Sequence, residues 1–376
     1  MKFIVSRDVL FKNLTALSGV IGNSTLAILD NFLFTIENDK LKITASDLET
    51  TMNAVIELTD VEGEGSVAVP SKILLETLKL LPETPLVFSF DMENTLLKFE
   101  SANGTYDSPF FPGDEYPQVK DAEDPNSFEI DAQVLQRAIS KTIFATGSDD
   151  LRANMMGVLC ELSSEYITFV ATDAHKLVRF RSTSVKTDDF VSFILPKKPL
   201  NQLKTILTTV VEPVKVFYAA ENHHIKFTFE NIELYSRLKE GKFPNYEAVI
   251  PTDNENKLLV QRNDFLKSIR RVGNFSSQST YQIRVSINEE IINIKAEDID
   301  YSNKADETLT GNYTGEPIEI GFNAKFLREM LENMDSEVVS IDMSTPSRAA
   351  LVLPAEEYTD DENLLMLIMP VMLSNA

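Results

Sequence analysis

The run Ile43-Thr44-Ala45-Ser46-Asp47 returns as Val170-Ala171-Thr172-Asp173 and again as Ile294-Lys295-Ala296-Glu297-Asp298. The first return lies 126 residues on, and a lysine at the start of a predicted helix keeps step with it, as Lys72, Lys198 and Lys325. Solenoid repeats have periods of about 20–50 residues. A period this long is that of a whole domain, so the chain reads as one domain written three times.

The local patterns agree. Residues 1–120 open with a strand from Met1 to Val5. A helix near Asp8 follows, with Val9, Leu10, Leu14 and Leu17 at helical spacing. Strands are expected from Leu29 to Glu37, Lys40 to Asp47 and Met52 to Leu58, the first two joined by the turn residues Asn38-Asp39. Val67-Ala68-Val69-Pro70 precedes a second helix at Ser71, and three more strands lead to the closing phrase Phe111-Pro112-Gly113-Asp114-Glu115-Tyr116. Residues 128–250 repeat the plan. Asp131 opens the first helix, Pro199 to Leu207 forms the second, and Phe243-Pro244-Asn245-Tyr246 closes the unit. Residues 256–376 repeat it again, with Asp264 before the first helix and Phe326, Leu327 and Leu331 on the second. Polar stretches, Asp121 to Asn126 and Pro251 to Asn256, separate the units. The expected fold class is α+β, with three domains that each hold two helices and several antiparallel strands.

Length and composition permit this. A chain of 376 residues exceeds one ordinary core. Met1 to Asp8 lacks the apolar run of a signal peptide, and no stretch of about 18 apolar residues is present. The single cysteine, Cys160, lies among Val158, Leu159 and Leu162, where packing is the expected role. A cytoplasmic protein is expected.

The net charge of −23 taken alone argues against a nucleic-acid partner. Its distribution argues otherwise. The six predicted helices together carry +7, which leaves −30 for the rest of the chain. Lys72, Lys197, Lys198 and Lys325 all fall near predicted helix N-termini, where a cation forfeits roughly 0.3–1 kcal/mol. A phosphate backbone would meet lysines and free backbone amides together; the alternative reading is lysine on an ordinary solvated helix face.

Catalysis is not expected. Histidine occurs only at positions 175, 223 and 224. Asp173 and His175 share a turn with no nucleophile motif nearby, and His223-His224 follows a polar turn. No ligand spacing fits a metal, no Gly-rich loop cradles phosphate, and no cofactor is expected.

Several stretches, in order along the whole chain, resemble the bacterial sliding clamps, the β subunit of the replicative DNA polymerase III. Val170-Ala171-Thr172-Asp173-Ala174-His175-Lys176-Leu177 is similar to that family's Ala-Thr-Asp-Gly-His-Arg-Leu. Leu26-Ala27-Ile28-Leu29-Asp30-Asn31 resembles its Leu-Pro-Ile-Leu-x-Asn, and Ser46-Asp47-Leu48-Glu49 its Thr-Asp-Leu-Glu. Glu240 to Tyr246 resembles Asp-Gly-Arg-Phe-Pro-Asp-Tyr, Ile320-Gly321-Phe322-Asn323 resembles the entry to the last helix, and Leu367 to Leu373 resembles the terminal Val-Val-Met-Pro-Met-Arg-Leu.

The resemblance implies a head-to-tail homodimer, a closed ring with helices inside and sheets outside, through which duplex DNA slides. It implies a processivity factor of a DNA-directed DNA polymerase holoenzyme, active in DNA replication. It also implies a pocket that receives short linear motifs from the polymerase, the clamp loader and repair proteins. Carried over by position, the pocket comprises Met155, Thr172, Ala174, His175, Lys176, Leu177, Pro244, Val249, Ala349, Leu367, Met369, Pro370 and Val371. Ala174 stands in place of the family's glycine, Ala248 where arginine is common, and Met372 in place of the terminal arginine. The DNA-facing residues expected are Lys72, Arg152, Lys197, Lys198 and Lys325, of which the resemblance carries over Lys197 and Lys198 as a basic pair on an inner helix and Arg152 as a basic loop position, and the helix-start placement supplies Lys72 and Lys325. For the implied dimer seam, Tyr106 and Phe275 fall near the family's apolar interface positions, with ordinary core the other reading, and the first-domain loop at Asn23-Ser24 lacks the family's arginine.

Overall fold

The computed structural model describes residues 1–22, 26–118, 126–219, 223–356 and 361–373. The Asn23-Ser24 loop and the first predicted linker up to Pro125 lie outside the described residues.

In the first repeat β1 (Lys2–Ser6) runs into α1 (Arg7–Ser18). Then come β2 (Asn31–Glu37), β3 (Lys40–Ser46), β4 (Thr50–Glu57), β5 (Thr59–Glu62), β6 (Gly65–Pro70) and α2 (Ser71–Leu80). The repeat ends with β7 (Pro85–Asp91), β8 (Leu96–Ser101), β9 (Gly104–Pro109) and the short β10 (Phe111–Pro112). The second comprises β11 (Asn126–Ile130), α3 (Ala132–Thr142), β12 (Gly157–Leu162), β13 (Ile167–Thr172), β14 (Lys176–Ser182), β15 (Val191–Pro196), α4 (Lys197–Ile206), β16 (Val214–Ala219), β17 (His224–Phe229) and β18 (Ile232–Arg237). The third comprises β19 (Asn256–Gln261), α5 (Arg262–Gly273), β20 (Gln282–Asn288), β21 (Ile291–Asp298), β22 (Asn303–Thr310), β23 (Asn312–Thr314), β24 (Ile318–Asn323), α6 (Ala324–Glu332), β25 (Val338–Met343), β26 (Ala350–Pro354) and β27 (Glu362–Ile368).

Each repeat divides its strands between two sheets, and neighbouring repeats share a sheet. The order β10-β6-β2-β3-β4-β18-β17-β16-β11 joins the first repeat to the second through β4 and β18. The order β15-β12-β13-β14-β27-β26-β25-β19-β23 joins the second to the third through β14 and β27. Two smaller sheets remain, β5-β1-β7-β8-β9 and β22-β21-β20-β24. The pairings among the described residues are antiparallel, both in hairpins such as β2-β3 and between strands far apart in sequence such as β1 and β7. Compactness therefore does not follow the sequence period. One compact unit holds Met1–Gln136 with Lys198–Leu238, and the other holds Arg137–Lys197 with Lys239–Ala376. The division runs through the middle repeat because each of its sheets continues into a different neighbour.

Local chemistry explains most element ends. Asn38 and Asp39 both take positive φ, the geometry of a two-residue hairpin whose twist matches its strands. Asp131 accepts from the Gln133 and Val134 amides and opens α3. α4 begins at Lys197, two residues before the expected Pro199. α5 begins at Arg262, so Asp264 lies inside its first turn rather than before it. On α1, Leu10, Leu14 and Leu17 are buried, each stabilising the fold by about 1.5–3 kcal/mol, whereas Val9 is exposed. Phe3, Phe88, Phe99 and Tyr106 lie opposite one another across β1, β7, β8 and β9, and the rings stack along that row at 5.1, 5.3 and 5.0 Å. Cys160 is buried, and burial pushes its thiol well above the usual range, in keeping with packing.

Candidate functional site

The recurring aspartates do the same work in all three repeats. Asp47 accepts from the Glu49 and Thr50 amides, Asp173 from the His175 and Lys176 amides, and Asp298 from the Asp300 amide. Each folds its strand back through an Asx turn. In the second repeat the turn tightens further. The Thr172 hydroxyl donates to the Lys176 carbonyl at 2.8 Å and accepts from the Ala174 amide at 3.1 Å. Ala174 is held at φ +75, and Leu48 occupies the matching place in the first repeat at φ +78. That conformation favours glycine.

Helix α6 anchors this turn. The Lys176 side chain is only 5% exposed and its ammonium pairs with Glu329. It also stands 4.8 Å over the Phe326 ring, and the His175 ring stacks on the same phenylalanine at 6.0 Å. Lys176 thus spends its charge within the chain, while His175 and Ala174 are exposed. The final segment is tied to the same place. β27 pairs with β14 so that Leu367 faces Leu177. Past the strand, the Met369 amide donates to the His175 carbonyl at 2.9 Å and the Val371 amide to the Gly321 carbonyl at 2.8 Å. A side chain on Gly321 would meet the Val371 carbonyl at 2.3 Å, so the close approach needs glycine. The apolar terminal run is therefore strand only to Ile368.

Leu177, Ala349 and Leu367 belong to one apolar cluster with Leu159, Val170, Leu351, Leu365, Phe243 and Tyr246. Phe243 and Tyr246 carry Pro244, half-buried, and the turn Glu247–Val249, whose Val249 is 54% exposed. Thr172 is buried beside this cluster in sequence, and Met369 is 39% exposed. Pro370 and Val371 are half-buried. Met155 ends the short helical stretch Asp150–Met155, half-buried and outside the cluster. The arrangement offers an apolar surface with exposed valine, methionine and histidine at its margin, chemistry that suits apolar peptide anchors.

Sequence reasoning missed the residues that hold this surface in place. Glu329 and Phe326 fix the turn from α6. The Tyr246 hydroxyl donates to Glu161 at 2.6 Å, and burial, then that bond, pushes the phenol well above its ordinary value. Arg179 and Arg181 both reach Glu247. The alternation in Lys176-Leu177-Val178-Arg179-Phe180-Arg181 was a readable strand signal for β14.

The basic residues are placed unequally. Across the six α-helices of the described residues the net charge is +10, so the rest of the chain carries −33. Lys72 and Lys197 are exposed, with no acidic partner among the described residues. Lys198 donates to Asp47 and to the Val20 carbonyl. Lys325 stands 3.4 Å over the Tyr281 ring, and Arg152 lies 3.6 Å from Asp149. Tyr106 ends the aromatic row on the edge strand β9 and lines a cavity of about 130 Å³ with Ile73, Leu74, Thr77, Leu97 and Phe99. Phe275 follows α5 and is 42% exposed. Among the described residues no cluster of acidic, histidine or cysteine side chains could hold a metal ion.

Comparison with known proteins agrees along the length of the chain. Family models described as the N-terminal, central and C-terminal domains of the DNA polymerase III beta subunit match residues 1–120, 129–245 and 247–372. The beta sliding clamp of Pseudomonas aeruginosa is 28% identical over 375 residues, covering 99% of this chain and 100% of the relative. That of Vibrio cholerae is 27% identical over 379 residues, covering 99% and 100%. A solved sliding clamp of Pseudomonas aeruginosa bound to griselimycin superimposes with a TM-score of 0.92 at 27% identity, covering 99% of this chain and 100% of that one. The chain belongs to the DNA polymerase III beta subunit family, the bacterial sliding clamps, which are non-catalytic processivity factors of the replicative polymerase.

Proposed function

We propose that two copies of the chain join head to tail into a closed ring around duplex DNA. In this assembly the domains span 1–120, 128–250 and 256–376. The observation that carries the proposal is the pairing rule at the repeat junctions. β4 pairs with β18, and β14 pairs with β27. In each case the third strand of one repeat's first hairpin set meets the third strand of the next repeat's closing set, β16-β17-β18 or β25-β26-β27, to which β7-β8-β9 corresponds in the first repeat. The remaining members of those two classes are β22 and β9, and each stands at a sheet edge. Pairing β22 of one copy with β9 of another repeats the rule. It joins sheets of four and five strands into nine, the size of the two already present. An open edge of this kind is a template for pairing.

Side chains near both edges fit a seam. Val20, two residues past α1, is fully buried, whereas its counterpart Phe275, two residues past α5, is half exposed. Tyr106 and the cavity beside α2 offer an apolar surface that such a side chain can enter.

The helices supply the DNA face through Lys72, Lys197, Lys198 and Lys325, with Arg152 added from the Asp150–Met155 stretch. Lysines meeting phosphate grip without reading bases, and the grip weakens with salt. Lys198, already matched by Asp47, contributes least. The acidic remainder discourages DNA from binding elsewhere. Retention then comes from closure of the ring, and weak local contacts leave it free to slide.

The 173–177 turn, the Met369–Val371 segment and the Phe243–Val249 stretch form the docking site. It takes short linear motifs of the replicative polymerase, the clamp loader and repair proteins; that a relative is known bound to griselimycin supports a ligand pocket in such a clamp. Among the described residues no helix is long and apolar enough to cross a membrane, and the proposed place of work is the cytoplasm. Sedimentation tests the ring. A mass twice 42.2 kDa is expected, and a stable monomer at 42.2 kDa would contradict it.

A further inference from the structure

We propose that Glu247 is a positioning residue for the docking site: it sets where the exposed Val249 stands against a bound peptide. The inference rests on assigning that site to peptides. Glu247–Val249 is a single turn, closed by the Val249 and Ile250 amides at 3.3 Å each. So short a turn with such long bonds does not hold its own shape. Outside contacts hold it, among them Ile250, which packs against the apolar cluster. Tyr246, just before it, is buried and bonded to Glu161. Glu247 itself reaches both guanidinium groups of β14, with Arg179 at 3.2 and 3.3 Å and Arg181 at 2.5 Å.

The two arginines alternate along β14 with Val178 and Phe180, on the same side as Leu177. Like charges so placed repel, and Glu247 is the carboxylate that joins them. Arg181 also stands 4.3 Å over the Tyr166 ring. The Nε–H groups of both arginines are buried without a hydrogen-bond partner among the described residues, so their planes follow the shared carboxylate rather than their own full hydrogen bonding. The strand that begins with Lys176 and Leu177 is thereby fastened to the turn that ends with Val249. The position of an apolar wall is set by ionic contacts, so affinity for an apolar anchor acquires a salt dependence.

The test uses the full chain and griselimycin, with binding measured calorimetrically at low and high salt and folding checked by thermal melting. Wild type is expected to bind and to weaken as salt rises. Glu247→Gln should bind about fivefold more weakly at low salt and show little further loss at high salt. Arg181→Gln, which leaves the Arg179 contact, should lose about twofold. Glu319→Gln, which removes the exposed Arg284–Glu319 pair on another sheet, should change nothing. Folded Glu247→Gln and Arg181→Gln variants with wild-type affinity and salt slope would overturn the role of Glu247. Wild type that does not bind griselimycin would instead overturn the docking site, and the positioning role with it.

Discussion

Lys198 and Asp47 lie 151 positions apart, and the ammonium of one meets the carboxylate of the other at 2.5 Å. The other Asp47 oxygen holds the 47–50 turn, and Lys198 also donates to the Val20 carbonyl. A turn from the first repeat, the end of its first helix and the second helix of the next repeat thus share one cation. Lys197, beside it, has no such partner among the described residues. The two neighbours should therefore behave differently. Lys198→Ala should cost about 0.5–1 kcal/mol of stability, because the pair is partly exposed and screened. Lys197→Glu should leave stability within about 0.5 kcal/mol and reduce the slope of log affinity for duplex DNA against log salt by about one. Chemical denaturation and salt titrations on the two variants check both.

Phe275→Asp should separate the proposed dimer without unfolding the chain. The side chain is already half exposed, so the folded chain loses little, while a buried seam would have to accommodate a carboxylate. Sedimentation should fall to the 42.2 kDa species, with the circular dichroism of wild type retained.

Ala174→Gly should stabilise the chain by about 1 kcal/mol. Alanine at φ +75 carries a left-handed penalty that glycine does not, and this outweighs the extra freedom glycine gives the unfolded chain. The urea midpoint should rise. The same change at Leu48, φ +78, should act in the same direction.

Alkali should weaken the fold partly through Tyr116. Its hydroxyl accepts from the Ser46 amide and is buried against Leu29, Leu33 and Ala68. Burial pushes the phenol up to about 12, above its ordinary value of 10.0. The unfolded chain therefore loses this proton first. The stabilisation is complete below about pH 10 and is lost as pH rises through the folded value. Urea midpoints should drop more steeply above pH 10 for wild type than for Tyr116→Phe.

The repeats, their helices and most strands were legible because apolar periodicity and turn residues are local signals. Three kinds of feature were not. The cut through the middle repeat depends on which strand edges meet, as β4 meets β18, and no local pattern encodes a partner 180 residues away. The true starts of α4 and α5 were missed because Pro199 and Asp264 are favoured at helix openings generally, and tertiary context set the ends. At the proposed docking site the exposed residues came from resemblance. The residues that hold them, Glu329 beneath Lys176 and Glu247 between Arg179 and Arg181, carry only ordinary surface charge in the sequence. Their role appears once strands and helix are packed together.

Retention on DNA of different topology tests the proposed ring most directly. The chain, loaded by a clamp loader onto nicked circular duplex, should remain bound through gel filtration. It should leave when a single cut makes the circle linear, because closure rather than affinity holds it. Equal retention on circular and linear DNA would contradict an encircling clamp.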